Sequence, residues 1–266
     1  MIKIGSGDKS EVFLLGDGRI LKLFVPHFAD LAPDEAEIAH ALARAGVDAP
    51  RVEETREIDG RPALVFGNLK AGMTLSAAVR KAPWRILPLA RSLAEMHSAV
   101  HDRVSPELPS QRDRLEAEIR NAAPVPEATR DEALRVLAEL PDGDTVCHND
   151  IHMLNVIVHP EGAMIIDWVL ATRGNPLADV AAAVLQLRFG ERPGGLVAAT
   201  ALETGRAVFW RTYLSRYLGL RPGGREELAR WQLPVAVGLA GRREGRMKEQ
   251  LLRRVDQLAP RRRGRA

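Results

Sequence analysis

The chain has 266 residues, of which 45% are hydrophobic, 27% are charged and one is cysteine. This length and composition can supply a buried core, and a single cysteine excludes an intrachain disulfide framework. No run approaches the roughly 18 apolar residues of a membrane span, and the first residues lack the apolar core of a secretion signal. We therefore expect a globular protein of the cytoplasm.

Charge is distributed unevenly along the chain. Residues 241–266 carry ten Lys/Arg against three Asp/Glu, so the other 240 residues sum to −4 although the whole chain carries +3. The basic character thus belongs to the C-terminal segment and is weak support for a nucleic-acid partner. We expect a helix with a solvated basic face followed by a frayed end at 261–266, with anchoring to an acidic partner or surface as the alternative.

The first 70 residues predict a small β-rich unit. Two pairs of apolar runs are each joined by a turn signal, Gly-Asp-Gly at 16–18 and Asp-Gly at 59–60. Between the pairs, residues 32–46 carry apolar side chains at helical spacing and end on glycine. The predicted order is strand, strand, helix, strand, strand.

The remainder is predicted to be mainly helical. Residues 74–140 show helical periodicity, which places a boundary near residues 67–72. One β island interrupts the helices, in which the runs NVIV and MIIDW are joined by a turn at 159–162. Asn175 and Pro176 then have the types favoured at the N-cap and first position of a further helix.

Residues 147–158, CHNDIHMLNVIV, concentrate polar side chains beside an apolar run. His148 and His152 have the spacing of a zinc metalloprotease, but Asn149 replaces its glutamate, and β-branched flanks favour a strand and loop over a helix. A Ser-His-Asp hydrolase is no better supported, because no G-x-S-x-G elbow occurs. We expect Cys147 to be a buried, inert thiol.

The spacing His148-x-Asp150-x-x-x-x-Asn155, followed across the hairpin by Asp167, fits phosphoryl transfer. That reaction uses one carboxylate to orient and deprotonate a hydroxyl, and an amide and a second carboxylate to hold Mg²⁺ on the phosphates. The plainer alternative is that these polar residues only satisfy backbone groups. It does not explain an aspartate at the end of the apolar run AMIID.

Lys22 lies between Ile20 and Phe24 on one face of a predicted strand. A lysine in such a place needs a partner, and Glu35 or Glu37 on the following helix could meet it while its ammonium reaches phosphate oxygens. The alternative is a lysine with a buried stem and a hydrated head.

The turn GSGDKS at residues 5–10 offers glycines for close backbone approach and the hydroxyls of Ser6 and Ser10. It is not a Walker A loop, because Asp8 stands where that motif needs glycine.

Together, the stretches CHNDIHMLNVIV, MIIDW, GNPLADVA, RILKLF and DEAEIAHALARAG resemble the aminoglycoside phosphotransferase family over roughly residues 1–190. The resemblance implies an α+β, protein-kinase-like bilobal fold, with a small antiparallel sheet and one helix in the N-terminal lobe and a larger helical C-terminal lobe. It places a nucleotide-binding lobe at 1–70 and the catalytic loop, metal site and acceptor site at 71–266.

The resemblance also implies roles for single residues. These are Asp150 as catalytic base, His148 as a residue shaping its loop, Asn155 and Asp167 as magnesium ligands, Lys22 with Glu35 as the phosphate-positioning ion pair, Asp179 as a brace of the loop, and Phe66 to Leu69 as a hinge that meets the purine.

By the same resemblance, the protein would transfer the γ-phosphoryl group of ATP, or of GTP, with Mg²⁺ to a hydroxyl of an aminoglycoside, amino sugar or other hydroxylated metabolite. The variable helices at 191–258 would bind the acceptor. The net charge of −4 on residues 1–240 favours a cationic or neutral acceptor. Asn149, Met153 and Leu154 replace residues that are commonly glycine, proline and glycine, which would alter the loop. A catalytically silent nucleotide-binding or scaffold protein is the alternative.

Overall fold

The computed structural model describes residues 1–7, 9–67, 69, 71–189, 196–222 and 224–259, with the backbone alone for 196–201. The basic end expected at 261–266, Asp8 of the glycine turn and Asn68 of the expected hinge lie outside these ranges.

An antiparallel five-stranded sheet forms the N-terminal part, in the order β1-β2-β3-β5-β4. Its strands, with the helix that follows the third, are β1 (Ile2–Ser6), β2 (Ser10–Leu14), β3 (Ile20–Phe24), α1 (Leu31–Arg44), β4 (Arg51–Ile58) and β5 (Arg61–Gly67). Both predicted hairpins and the helix are confirmed. Strand β1 was not predicted, because its apolar residues Ile2 and Ile4 are exposed and mark no buried face.

The two faces of this sheet are buried separately. Phe24, Leu64 and Phe66 pack with Ala32 and Ala36 of α1. The alternate residues of the same strands form a second cluster on the opposite face: Leu21, Leu23, Ala63 and Val65. This alternation follows from the two-residue repeat of a strand, and it directs Lys22 to the face that carries α1.

Helices form most of the remaining chain, with short strands between them. The helices are α2 (Leu75–Lys81), α3 (Ile86–Val100), α4 (Gln111–Arg120), α5 (Glu127–Glu139), α6 (Pro176–Arg188), α7 (Leu196–Leu220), α8 (Arg225–Arg242) and α9 (Gly245–Leu258). The strands are β6 (Met73–Thr74), β7 (Thr145–Cys147), β8 (Val156–His159), β9 (Gly162–Ile165) and β10 (Thr172–Gly174). β6, β8 and β9 form one antiparallel sheet, and β7 pairs with β10.

Helix α8 is central to this part, since it contacts α4, α5, α6 and α9. It buries Trp231 and Ala236 in the largest core cluster. The start of α6 is confirmed as predicted, because the Asn175 Oδ1 accepts the Leu177 amide at 2.8 Å. Within the described ranges, no helix combines the length and apolar character needed to cross a membrane.

Candidate active site

A cleft of about 500 Å³ opens between the N-terminal sheet and the β8–β9 hairpin. Volumes of this order are typical of small-molecule sites. The cleft collects eight residues singled out from the sequence: Ser6, Ser10, Lys22, Glu35, Phe66, Leu69, Asn155 and Asp167. Residues from distant parts of the chain therefore line one space.

Lys22 is held between two carboxylates inside the cleft. Its Nζ lies 2.8 Å from both carboxylate oxygens of Glu35 and 3.6 Å from Asp167 Oδ1. Burial raises the pKa of Glu35, and the Lys22 ammonium opposes that rise without cancelling it. Glu37 is exposed. The helix register thus places Glu35, rather than Glu37, against the lysine.

The β8–β9 hairpin brings Asn155 and Asp167 side by side. Val156 pairs with Ile165, and the Ile166 amide donates to the Asn155 carbonyl at 2.9 Å, so Ile166 lies opposite Asn155 and Asp167 is the next residue along the chain. Asp167 adopts a left-handed φ of 62° and remains partly exposed to the cleft.

The donor set at this hairpin fits magnesium. Asn155 Nδ2 donates to the Asp150 carbonyl at 3.0 Å, so its amide oxygen is the end available to a cation. One amide oxygen and one carboxylate are hard ligands that suit Mg²⁺, which keeps several waters of its own. They do not form the nitrogen- and sulfur-rich set that zinc prefers.

Both ring nitrogens of His148 are engaged within the fold. Nε2 lies 3.0 Å from the Ile166 carbonyl, and Nδ1 lies 3.2 Å from the Asp150 amide. The imidazole therefore carries its proton on Nε2 and links the loop to the segment that precedes Asp167. Burial lowers the pKa of His148, which keeps the ring neutral. His148 is a structural element of the loop and is not oriented as a zinc ligand.

Asn149 adopts a left-handed backbone, with φ at 62°. This conformation favours glycine, and asparagine is among the residues that tolerate it best. Its side chain accepts from Gln111 Nε2 at 2.8 Å and donates to Thr172 Oγ1 and the Leu170 carbonyl at 2.8 and 2.9 Å. The replacement expected to disturb the loop is thus accommodated by hydrogen bonds.

The second replacement in the loop is also accommodated. Met153 packs against the main core, and its carbonyl accepts from the Ser76 amide at 3.0 Å. Leu154 is exposed and lines the cleft. Larger side chains here therefore occupy space that the fold provides.

Asp179, in the first turn of α6, is fully buried beneath the loop. Its carboxylate accepts the backbone amides of His148 and Asn149 and lies 3.1 Å from His97 Nε2 and 3.3 Å from His101 Nε2. Burial would raise the pKa of Asp179, but the two imidazoles and these hydrogen bonds hold it well below its usual range. The carboxylate is therefore charged, and it fixes the loop to α3 and α6.

The two histidines are themselves anchored by tyrosines of α7. His97 Nδ1 lies 2.6 Å from the Tyr213 hydroxyl, and His101 Nδ1 lies 2.6 Å from the Tyr217 hydroxyl. Potential ligand atoms of His97, His101 and Asp179 lie within 4.8 Å of one another. Hydrogen bonds to the tyrosines and to the loop amides hold these side chains in place, while His97 Nε2, beside Asp179, has no hydrogen-bond partner among the described residues.

Asp150 is buried and is surrounded by positive charge from the end of α8. Arg243 donates to Asp150 Oδ1, Arg242 Nη1 lies 3.5 Å from the same oxygen, and His152 Nε2 lies 3.7 Å from Oδ2. Burial alone would raise the pKa of Asp150, but Arg242, Arg243 and the neighbouring histidines lower it below its ordinary value. Asp150 is thus a carboxylate at neutral pH.

Sequence reasoning missed these arginines, and it also missed the histidines under the loop. Arg242 and Arg243 were assigned to a solvated basic face, and nothing local indicates that α8 returns to the loop 93 residues earlier. His97 and His101 carried a usable signal, because at helical spacing they continue the apolar face formed by Leu89, Ala90, Leu93 and Ala94 of α3. Cys147 is buried as expected, and burial raises the pKa of its thiol well above its usual value.

A model of the family described as "Phosphotransferase enzyme family" matches residues 1–220. The chain belongs to this family. The resemblance to the aminoglycoside phosphotransferase family is confirmed, as is the kinase-like fold, and the family makes the chain a phosphotransferase. A search of curated protein sequences finds no match.

Solved structures of the same fold cover most of the phosphotransferase chain. A thermostable mutant of aminoglycoside phosphotransferase APH(4)-Ia is 17% identical, with a TM-score of 0.65 over 97% of this chain and 92% of that chain. Aminoglycoside phosphotransferase APH(2'')-Ib is 15% identical, with a TM-score of 0.60 over 97% and 90%. APH(3'')-Id from Streptomyces rimosus is 18% identical, with a TM-score of 0.59 over 88% and 91%.

Proposed function

We propose that this phosphotransferase transfers the γ-phosphoryl group of ATP, or of GTP, to a hydroxyl of a small molecule with Mg²⁺. The observation that carries the proposal is the cleft that Lys22, Asn155 and Asp167 line together. Asp150 is next to this cleft, because its carbonyl accepts a hydrogen bond from Asn155. The solved structures with this fold include one bound to ADP and one in a ternary complex with AMP-PNP and hygromycin B.

In this proposal, residues 1–70 form the nucleotide-binding lobe and residues 71–266 form the lobe with the catalytic loop and acceptor site. Ser6 and Ser10 face the phosphates, and Phe66 and Leu69 contact the purine. Lys22, oriented by Glu35, holds phosphate oxygens as a positive point charge. A cytoplasmic location stays a prediction.

Asp150 acts on the acceptor. Its carboxylate orients the attacking hydroxyl and takes the proton as the new oxygen–phosphorus bond forms, while the bond from the γ-phosphorus to the nucleoside diphosphate breaks and the diphosphate leaves. Asn155 and Asp167 would hold the magnesium ion, which neutralises phosphate charge when it is bound. Asp179 keeps the loop amides, and therefore Asp150, in a fixed position beside the hairpin.

Variants of Asp150 and Asp167 test whether the first acts as the general base and the second as a magnesium ligand. Asp150→Asn should leave the affinity for AMP-PNP and Mg²⁺ nearly unchanged while turnover falls by roughly 10² to 10⁴, the usual worth of a positioned general base. Asp167→Asn should weaken nucleotide binding as well as turnover. Calorimetry with AMP-PNP and magnesium, together with ATP consumption against hydroxylated metabolites and aminoglycosides, measures both quantities. Full activity in Asp150→Asn would remove the loop from the chemistry.

One observation favours the second candidate, a silent nucleotide-binding protein. Arg243 occupies the Asp150 oxygen that the acceptor hydroxyl would need. Nucleotide binding without turnover of any acceptor in the same assay would support that candidate, and turnover of any acceptor would exclude it.

A further inference from the structure

The surroundings of Asp150 carry more positive than negative charge. Arg114, Arg242 and Arg243 are linked through Glu118 and Asp150, with Arg114 Nε 3.0 Å and Arg242 Nε 3.7 Å from Glu118 Oε1. Among the described residues of this group, three guanidinium groups thus meet two carboxylates. The group holds one positive charge in excess.

Several donors in and beside this group are buried. They are the Nε atoms of Arg242 and Arg243 and the Nε2 atom of Gln186, and within the described ranges none of them has a hydrogen-bond partner. Gln186 and Arg243 are in contact, since the Arg243 guanidinium donates to Gln186 Oε1. Buried donors are rarely left unpaired, because an unpaired buried donor loses its hydrogen bonds to water without replacement. A ligand with hydrogen-bond acceptor oxygens that binds here would give these donors their missing partners.

We propose that Arg242 and Arg243, with Gln186, form a subsite for an anionic group on the acceptor, either a carboxylate or a phosphate. Guanidinium groups match both anions in charge and in fork geometry. Arg242 and Arg243 contact Asp150, and the subsite residues are not among those that line the cleft with Lys22, so the subsite serves the acceptor rather than the nucleotide. This inference rests on the proposed function and identifies its substrate class as a hydroxylated anion.

The same contacts argue against a polycationic acceptor. A cationic group approaching Asp150 would meet Arg242 and Arg243 at close range, where like charges are strongly unfavourable. The net charge of −4 on residues 1–240 favoured a cationic or neutral acceptor. That charge acts at long range and is outweighed by Arg242 and Arg243, which are next to Asp150. An anionic acceptor gives Arg243 a new partner and leaves Asp150 Oδ1 to the hydroxyl.

Calorimetric titration with inorganic phosphate and, separately, with glycerate tests the subsite. We expect saturable binding of one of the two, and the tighter anion identifies the acceptor's charged group. Arg243→Gln should weaken that binding by about tenfold or more, about 1.4 kcal/mol, and Arg243→Lys should weaken it less. Arg253→Gln, which removes an exposed arginine of α9, is the matched control and should bind as the wild type does.

Two further results show whether the anion binds at Arg243 or in the nucleotide cleft. Lys22→Met should keep the anion binding, because that lysine belongs to the nucleotide cleft. Binding lost in Lys22→Met but kept in Arg243→Gln, or no binding of either anion, would overturn the subsite. Circular dichroism melting of each variant confirms that the comparison is made between folded proteins.

Turnover distinguishes failure of the subsite from failure of the proposed function. If hygromycin B is phosphorylated and neither anion binds, the function stands and the subsite is wrong. If an anion binds at Arg243 and no acceptor is ever phosphorylated, the anion site stands, but the proposed function and the substrate class drawn from it are wrong.

Discussion

Lys22 and Glu35 form an ion pair of the cleft that both sequence and geometry single out. Lys22→Met should weaken binding of the Mg-nucleotide by about 10- to 100-fold, since charge-assisted hydrogen bonds contribute roughly 1.5–3 kcal/mol. The Lys22→Met/Glu35→Gln double variant avoids an unpaired buried carboxylate and keeps the fold. Calorimetry with AMP-PNP measures the loss.

Two single variants define which glutamate matters. Glu35→Gln should produce a milder loss in the same direction, because the amide still orients the lysine. Glu37→Gln is the matched control, since Glu37 lies on the same helix and is exposed. A loss in Glu37→Gln with no effect of Glu35→Gln would contradict the role given to the pair.

His101 makes stability depend on pH. Burial lowers its pKa from 6.5 to about 4. The unfolded chain therefore takes up this proton first, so the stability contributed by neutral His101 is complete above about pH 6.5 and is lost as pH falls toward 4.

The loss should be measurable in urea unfolding at pH 7 and pH 5. A shift of this size predicts a loss of about 2 kcal/mol between these pH values, at 1.36 kcal/mol per pKa unit. The His101→Gln variant should be less stable at pH 7 but should lose less on acidification. Equal losses in the variant and the wild type would show that another group is responsible.

Among the secondary-structure elements, α8 is the one whose position matters most to the site, because it ends in Arg242. A Cβ atom added at Gly241 would lie 3.1 Å from Ala122 Cα, after α4. Gly241→Val should therefore push the two helices apart and destabilise the protein by about 1–3 kcal/mol. Turnover should fall by more than the loss of folded protein accounts for, because Arg242 moves with the helix.

Gly219 of α7 is the control for this effect. Among the described residues, nothing lies within 4 Å of a Cβ atom at this position, and the residue is exposed. Gly219→Ala should stabilise the protein by up to about 1 kcal/mol through helix propensity alone. Urea unfolding of both variants measures the contrast, and destabilisation by Gly219→Ala would refute the packing argument.

The features that could be predicted from sequence are those set by nearby residues. The strand repeat fixes the face of Lys22, and the helix that follows at once can bring Glu35 to it. A short hairpin likewise sets Asn155 beside Asp167. The contact of Arg243 with Asp150 depends on how α8 packs against α4 and α6, and no local pattern encodes that packing. The choice between Glu35 and Glu37 as the partner of Lys22 could not be made from sequence either, because it depends on the helix register.

At the scale of the whole molecule, a nucleotide in the cleft would bind residues from both the sheet and the hairpin. AMP-PNP with Mg²⁺ at about 100 times its Kd should raise the free energy of unfolding by about 2.7 kcal/mol. Differential scanning fluorimetry should show this as a higher Tm, and both EDTA and Asp167→Asn should reduce the increase. An equal increase in Asp167→Asn would mean that the metal ligands are elsewhere, and an equal increase with EDTA would mean that nucleotide binding needs no metal.

The contact between Arg243 and Asp150 affects how much nucleotide the enzyme would hydrolyse when no acceptor is bound. A kinase that binds nucleotide before its acceptor exposes the γ-phosphate to water, and a free carboxylate beside it would promote hydrolysis. Because Arg243 donates to Asp150 Oδ1, that oxygen is not free to take a proton from water in this state. With the proposed subsite, only an acceptor that engages the arginine releases the carboxylate, so that nucleotide consumption is coupled to the arrival of the substrate.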